Sequence, residues 1–250
     1  MRLIQPFWTN EETQSGKAER MRANDGAVDS KGRFWASAVC DPLVTSFTPD
    51  GERDLNPQWR KRANNKLLPT AAVLFRLDTD GQFHRVITGA TIPNGLSWSM
   101  DNKTMYWTDT DRGAIYAYDF DESGNISNKR VFFQPKDGGP DGHAQDEHGN
   151  LWVALWGAWK VVRVSPDGEV TAEVRVPTRC PTVSRSPYKL DPVSYLKQAV
   201  AFAGEDIYIT SESEQEPEKY PESLKYHGDV FKCHVGVKGR PMHVARISVD

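Results

Sequence analysis

Residues 141–155 read DGHAQDEHGNLWVAL, and the order of residue types in these fifteen residues indicates how the chain folds. A polar Asp-Gly pair comes first, an Asp-x-x-Gly segment follows, and the apolar run LWVAL comes last. Short runs of β-branched, aromatic and other apolar residues between such turn sequences are typical of antiparallel strands. The stretch therefore predicts a β-hairpin.

The same order of residue types recurs along the chain. Residues 94–108 (NGLSWSMDNKTMYWT) repeat it 47 residues upstream, and residues 25–36 (DGAVDSKGRFWA) form a third copy. A weaker fourth copy uses residues 204–210 and 229–232. We predict an all-β protein, a β-propeller with about four recognisable blades, each a meander of short strands. A β-sandwich is the alternative, but sandwiches do not repeat the side-chain order from hairpin to hairpin.

Two polar segments interrupt the repeats. Residues 49–69 have no apolar periodicity, and residues 212–226 are acidic and contain proline. We interpret both as loop insertions in a single propeller domain over residues 1–250, whose first 21 residues are atypical. The first insertion, residues 49–69, is either a lid over a site or a solvent-exposed loop without such a role.

Charge and hydropathy exclude several classes of protein. The chain has 31 basic and 34 acidic residues, a formal charge of −3, and 38% hydrophobic residues. These values exclude disorder and a basic nucleic-acid surface. No stretch approaches about 18 consecutive apolar residues, and residues 1–10 lack the regions of a secretory signal. We expect no membrane or nucleic-acid partner and a cytoplasmic location.

The polar residues that open the repeats are candidate site residues. Asp25, Asn94 and Asp141 each precede a glycine, and taken singly each is a common hairpin-turn residue. Equivalent positions on the innermost strands of propeller blades converge on the central channel, so their recurrence favours a site. Carboxylate and amide oxygens are ligands that a hard divalent cation such as calcium takes, and Asp141 and Asn94 offer one of each.

Arg22 and Asn24 stand just before the first of these positions. Residues i and i+2 of an extended strand point to the same face of the sheet. The pair could therefore hold a polyhydroxylated ligand by hydrogen bonds. The alternative is a surface arginine beside a turn-capping asparagine.

Several blocks resemble the senescence marker protein (regucalcin), gluconolactonase and luciferin-regenerating-enzyme-like family. They are RANDGAVD at 22–29, IPNGLSWS at 92–99, IYAYDFD at 115–121, and PDG at 140–142 followed by GNLWVA at 149–154. The resemblance is close from about residue 20 to residue 185. It implies a six-bladed propeller that binds one divalent cation, calcium or zinc, and hydrolyses sugar lactones. By match to the family's motifs, Asn94 and Asp141 would be metal ligands, and Arg22 and Asn24 would contact sugar hydroxyls.

The sequence departs from the family at its N-terminus. Family members carry a further N-terminal segment with a Gly-Glu-Gly-Pro-like motif, whose glutamate is a metal ligand, and this sequence has no such motif. We expect one or two N-terminal blades to be incomplete or missing, which would expose strand edges and allow self-association. Glu11, Glu12 and Glu19 are the acidic residues near this end, and nothing in their context favours them as replacements. Asp41 is the nearest match to a substrate-contacting acidic residue.

Three functional hypotheses follow. The first is a metal-dependent sugar lactonase in which Asp141 accepts a proton from the attacking water. The second is a catalytically impaired calcium-binding or partner-binding propeller that lacks one metal ligand. The third is an enzyme resembling strictosidine synthase or the paraoxonases, for which His143 is the one histidine near the candidate site. The alternative for His143 is a strand residue with a satisfied ring.

Overall fold

The computed structural model describes residues 8–14, 18, 21–40, 72–181, 200–214 and 216–248. These residues form fifteen β-strands and two short α-helices. Neither described helix has the length and apolar character needed to cross a membrane. The chain divides into two compact units, one of residues Met1–Pro93 with Val244–Asp250 and the other of residues Asn94–His243.

The first unit contains one four-stranded antiparallel sheet. Its strands pair in chain order and are β1 (Met21–Val28), β2 (Phe34–Cys40), β3 (Ala72–Leu77) and β4 (Phe83–Ala90). Helix α1 (Asn10–Gln14) precedes them. Thr9 and Glu12 form a capping box, because each backbone N–H donates to the other residue's side chain at 3.1–3.2 Å. The predicted insertion 49–69 lies outside the described residues.

The second unit contains three antiparallel sheets. The first is β5 (Pro93–Trp98, of which Pro93 still belongs to the first unit), β6 (Thr104–Asp109), β7 (Ala114–Phe120) and β8 (Ile126–Phe133). The second is β9 (Gly139–Gln145), β10 (Leu151–Trp156), β11 (Lys160–Val164) and β12 (Val170–Arg175). The third is β13 (Val200–Ala203), β14 (Asp206–Thr210) and β15 (Val230–His234). Each sheet is a meander of the propeller-blade type.

Within a blade, burial is highest in the middle strands and lowest in the outermost strand. In β10 the five residues Leu151–Leu155 are all buried, whereas the outermost strands β8 and β12 are largely exposed. A sheet packed on both faces buries both sets of side chains, which explains a continuous apolar run instead of alternation. Tyr106, Ile115, Leu151 and Val162 belong to one such core cluster. Burying a side chain of this size contributes about 1.5–3 kcal/mol.

A buried aspartate closes the turn between the first two strands in two of the blades. Asp146 accepts hydrogen bonds from the backbone N–H of His148 and Asn150, and from Trp152 Nε1 at 3.1 Å. Asp29 accepts equivalent bonds from the backbone N–H groups of its own turn and from Trp35 Nε1 at 2.9 Å. In the repeated Asp-x-x-Gly-x-x-Trp motif, the aspartate therefore connects the turn to the tryptophan of the following strand by hydrogen bonds.

The prediction of an all-β propeller with four blade-like repeats is confirmed. The alternative interpretation of Asp25, Asn94 and Asp141 as hairpin-turn residues is wrong, because they lie inside strands β1, β5 and β9. Gly26 and Gly95 serve close packing. A methyl group added at Gly26 would lie 2.6 Å from the Trp35 carbonyl oxygen.

The predicted loop 212–226 is anchored to the second unit by buried polar contacts. It contains helix α2 (Pro221–Leu224), and all of it except residue 215 is described. Arg179 pairs with Glu214 at 2.5 Å, with both side chains buried, and Trp156 Nε1 donates to Glu212 at 3.0 Å. Burial alone would raise the pKa of Glu214, but hydrogen bonds from Arg179 and the Glu216 backbone lower it to about 2. This ion pair stays charged at neutral pH.

Candidate functional site

Asn94 and Asp141 stand near the starts of the inner strands of two blades in the second unit. Asn94 is the second residue of β5 and Asp141 the third residue of β9, and their exposed fractions are 6% and 4%. The pairing of β9 with β10 shifts register between Val153 and Leu155, so Asp141 and Gly142 both lie opposite Ala154. Bulges of this kind re-aim side chains and are frequent at functional sites.

Thr110 connects the two strands. It follows the last residue of β6, and Asn94 Nδ2 donates to Thr110 Oγ1 at 2.7 Å. Thr110 Oγ1 donates in turn to the Pro140 carbonyl oxygen at 2.7 Å. Pro140 directly precedes Asp141, so a two-bond chain leads from Asn94 to the backbone beside Asp141. Sequence reasoning missed Thr110, because the equivalent position in the next repeat is Gly157 and no repeated residue type marks it.

His143 lies on β9 and packs against Gly95 on β5. A methyl group added at Gly95 would lie 2.4 Å from His143 Nδ1 and 2.8 Å from its backbone nitrogen, so only glycine fits there. Ser97 Oγ is 2.8 Å from His143 Nε2, and Thr108 Oγ1 is 3.4 Å from Nδ1. Burial lowers the pKa of His143 to about 4, which keeps the ring neutral at pH 7. His143 is a strand residue whose ring has hydrogen-bond partners.

The donors at this place suit a hard cation. Asp141 supplies carboxylate oxygens and Asn94 an amide oxygen, which are the ligand types that calcium takes. The Asn94 amide nitrogen faces Thr110, so the amide oxygen points the opposite way. Within the part of the chain that the structure describes, no three His, Cys, Asp or Glu side chains form a group that could hold a metal. If Asn94 and Asp141 hold a cation, further oxygen ligands from water or substrate would be needed to complete its coordination.

Arg22 and Asn24 lie in the first unit on β1 and contact each other. The Arg22 guanidinium donates to Asn24 Oδ1 and, at 3.1 Å, to the Ala23 carbonyl oxygen. Asn24 Nδ2 donates to the Pro93 carbonyl oxygen at 2.6 Å. The two side chains share a face, as the i, i+2 spacing predicts. Their role as sugar contacts stays a prediction.

The structure corrects the alignment of the first repeat by one residue. Asp141 precedes its turn aspartate, Asp146, by five residues, and Asn24 stands in the same relation to Asp29. The pairing of β1 with β2 also shifts register between Ala23 and Gly26, so a bulge occurs at the same place. Asn24, and not Asp25, is thus the residue equivalent to Asp141.

Asp25 is the second residue of that bulge. Its backbone exchanges hydrogen bonds with Ser37 Oγ at 3.1 and 2.9 Å, and its carboxylate accepts from the Gly26 N–H at 2.7 Å. Burial raises the pKa of Asp25 to about 6, although the Gly26 bond acts in the opposite direction.

The other acidic candidates gain no support. Glu12 caps α1 and forms an ion pair with Arg85, which gives it a structural role in the first unit. Glu11 lies on the same short helix and is exposed. Glu19 and Asp41 lie outside the described residues.

Comparison with known proteins decides the family. The sequence profile described as the SMP-30/gluconolactonase/LRE-like region matches residues 2–184 of this chain. The chain belongs to the SMP-30/gluconolactonase/LRE-like family. The profile covers the four blocks that carry the resemblance, and it also extends over the N-terminal segment that we interpreted as atypical.

Named relatives in the SMP-30/gluconolactonase/LRE-like family include lactonases. The chain is 32% identical over 228 residues to 6-deoxy-6-sulfogluconolactonase of Pseudomonas putida, and this match covers 89% of the chain and 65% of that enzyme. It is 33% identical over 178 residues to the pentonolactonase XacC of Haloferax volcanii, covering 67% of the chain and 56% of that enzyme. The chain thus spans between about half and two thirds of the length of these relatives.

A solved structure in the family has the same fold. Luciferin-regenerating enzyme superposes with a TM-score of 0.71 at 26% sequence identity. The match covers 96% of this chain and 69% of that one. The two folds therefore agree over nearly the whole described chain.

Proposed function

We propose that this protein hydrolyses sugar lactones with the help of a divalent cation held by Asn94 and Asp141. The observation that carries the proposal is the pair of buried oxygen donors near the starts of β5 and β9, joined through Thr110. Membership of a family whose named relatives include sugar lactonases supports the same conclusion.

The cation would be held by the Asn94 amide oxygen and the Asp141 carboxylate. Both are hard oxygen donors, which favours calcium over zinc, since zinc sites draw on imidazole and thiolate ligands. When bound, such a cation polarises a lactone carbonyl, stabilises negative charge on its oxygen and lowers the pKa of a nearby water.

Asp141 is the proposed catalytic base. Its carboxylate accepts a proton from the water as the water oxygen attacks the lactone carbonyl carbon. The bond between that carbon and the ring oxygen then breaks, and the proton passes from Asp141 to the ring oxygen, which becomes a hydroxyl group of the opened chain. The product is the open-chain sugar acid, and the Asp141 carboxylate is regenerated. The low exposure of Asp141 keeps competing water away from this proton.

Arg22 and Asn24 are the proposed contacts to the sugar hydroxyls. A guanidinium carries five N–H donors and an amide carries two donors and an acceptor, so the pair can both donate to and accept from neighbouring hydroxyl groups. The Arg22 to Asn24 hydrogen bond fixes the orientation of the Asn24 amide. Replacing either residue should raise KM more than it lowers kcat, because neither touches the reacting carbon.

A second function has its own support. The proposed cation ligands include one carboxylate, that of Asp141, no group of three or more His, Cys, Asp or Glu side chains occurs among the described residues, and calcium sites bind more weakly as charged ligands are lost. A protein that binds a cation without turning over a lactone is therefore the alternative. Calorimetric titration with calcium and with zinc, run beside the activity assay, distinguishes it by cation binding without hydrolysis.

The test is the release of acid from glucono-δ-lactone, followed by pH-stat titration. We expect a rate above that of buffer, abolished by a chelator and restored by calcium. Asp141→Asn should lower the rate by at least about a hundredfold, which is the usual contribution of a general base. Asp101→Asn is the matched control, because Asp101 is exposed in the β5–β6 turn, and it should stay within about twofold of wild type. A folded sample with no rate above buffer for any divalent ion would overturn the proposal.

A further inference from the structure

The side-chain hydroxyl of Thr110 has a fixed direction of hydrogen bonding. A hydroxyl has one proton, and a carbonyl oxygen can only accept, so at 2.7 Å from the Pro140 carbonyl the Thr110 hydroxyl must donate. The Thr110 oxygen can then only accept from Asn94, at 2.7 Å. A flipped Asn94 amide would place two acceptor oxygens against each other. The Asn94 amide is therefore held with its nitrogen toward Thr110 and its oxygen away from it.

Thr110 also contacts the start of β9. The carbonyl that it binds belongs to Pro140, the residue before Asp141. Its methyl group, Cγ2, is 3.0 Å from the position of a methyl group added at Gly139, so a larger residue there would push Thr110 away. One side chain thus packs against β9, binds the backbone beside Asp141 and orients the amide of Asn94.

We propose that Thr110 is a positioning residue that presents the amide oxygen of Asn94 to the cation. This inference rests on the proposed function in one respect, namely that Asn94 is a cation ligand. In this role Thr110 acts through Asn94 and is not itself a cation ligand. Groups that orient a metal ligand change metal affinity by about 10- to 100-fold when they are removed.

Calcium affinity of the chain, measured by calorimetric titration, tests the proposal without relying on turnover. Thr110→Val keeps the shape of the side chain and removes the hydroxyl, and it should weaken calcium binding by at least about tenfold. Thr110→Ser keeps the hydroxyl and should stay within about threefold of wild type. The control is Thr108→Val, which removes another buried hydroxyl two residues earlier on β6 and should leave the affinity within about threefold.

A second pair of variants separates orientation from general stability. Asn94→Asp replaces the amide with a carboxylate, whose two oxygens are equivalent, so that no flip can remove the ligand. In that background, Thr110→Val should weaken calcium binding by less than about threefold, whereas a merely structural loss would be as large as in wild type.

The outcomes are distinct. Calcium binding by wild type that is unchanged in Thr110→Val would overturn the role of Thr110 and leave the proposed function standing. An equal loss in the wild-type and Asn94→Asp backgrounds would also overturn it. No calcium binding by folded wild type would overturn the cation site itself, and the inference about Thr110 with it.

Discussion

Asp146→Ala should destabilise the second unit by several kcal/mol, because it removes the acceptor for a whole turn. The fully buried Asp146 carboxylate accepts from His148 N, Asn150 N and Nδ2, Trp152 Nε1 and Arg163 Nε, at 2.9–3.1 Å. The donors of His148 and Arg163 are exposed enough for water to replace Asp146 as their hydrogen-bond acceptor. The three donors on Asn150 and Trp152 are buried, and each would lose its acceptor at a cost of about 1–3 kcal/mol. Partial entry of water reduces the sum, so we expect about 3–5 kcal/mol.

Urea unfolding followed by far-ultraviolet circular dichroism measures this difference. Ser99→Ala is the matched control, because Ser99 occupies the place of Asp146 in the preceding blade and accepts from Thr104 N at 2.9 Å. Its loss should cost about 1 kcal/mol. The two variants could instead unfold at the same midpoint urea concentration, with the same dependence of the free energy of unfolding on urea. That result would contradict the claim that the buried carboxylate closes the turn.

Three further results are expected. Trp152→Phe should cost at least about 1 kcal/mol more than Trp107→Phe in urea unfolding, since Trp152 Nε1 bonds to a carboxylate and Trp107 Nε1 has no partner among the described residues. Burial raises the pKa of Asp25 from 3.8 to about 6, so the folded protein binds the Asp25 proton more tightly than the unfolded chain does. The free energy of unfolding of wild type should therefore fall by up to about 3 kcal/mol as the pH rises from about 4 to about 7. Asp25→Asn, unfolded in urea at both pH values, should lack this dependence of stability on pH. Glu214→Gln should lower the free energy of unfolding by about 3 kcal/mol at pH 7, measured in the same way, because it leaves the Arg179 guanidinium buried without its carboxylate partner.

The repeat in the sequence was enough to predict the blades. Asp-x-x-Gly-x-x-Trp and the apolar runs after it report local structure, namely a turn and a buried strand, and both appear in β9–β10 as expected. The same rule failed at Asp25, Asn94 and Asp141. An Asp-Gly or Asn-Gly pair occurs in two structural settings. It forms a left-handed turn, or it lies in a strand that another part of the same chain approaches closely. Only tertiary packing, such as His143 against Gly95, distinguishes them.

The candidate site was predictable in part. Asn94 and Asp141 could be paired from the sequence because they occupy equivalent places in two repeats. Thr110 could not, because its role depends on the approach of a loop to the next blade and its counterpart in the next repeat is a glycine. The one-residue misplacement of Asp25 has a similar cause, since a β-bulge inserts a residue that no periodicity reveals.

The gradient of burial across a blade separates the parts of the chain that can change from those that cannot. In β8, five consecutive residues, 127–131, are exposed and none of them contacts the candidate site, whereas a methyl group cannot be added at Gly95 on β5. Random mutagenesis of the second unit should therefore accumulate neutral changes along its outer strands. An affinity tag or fluorescent label attached to β8 would leave the inner strands undisturbed.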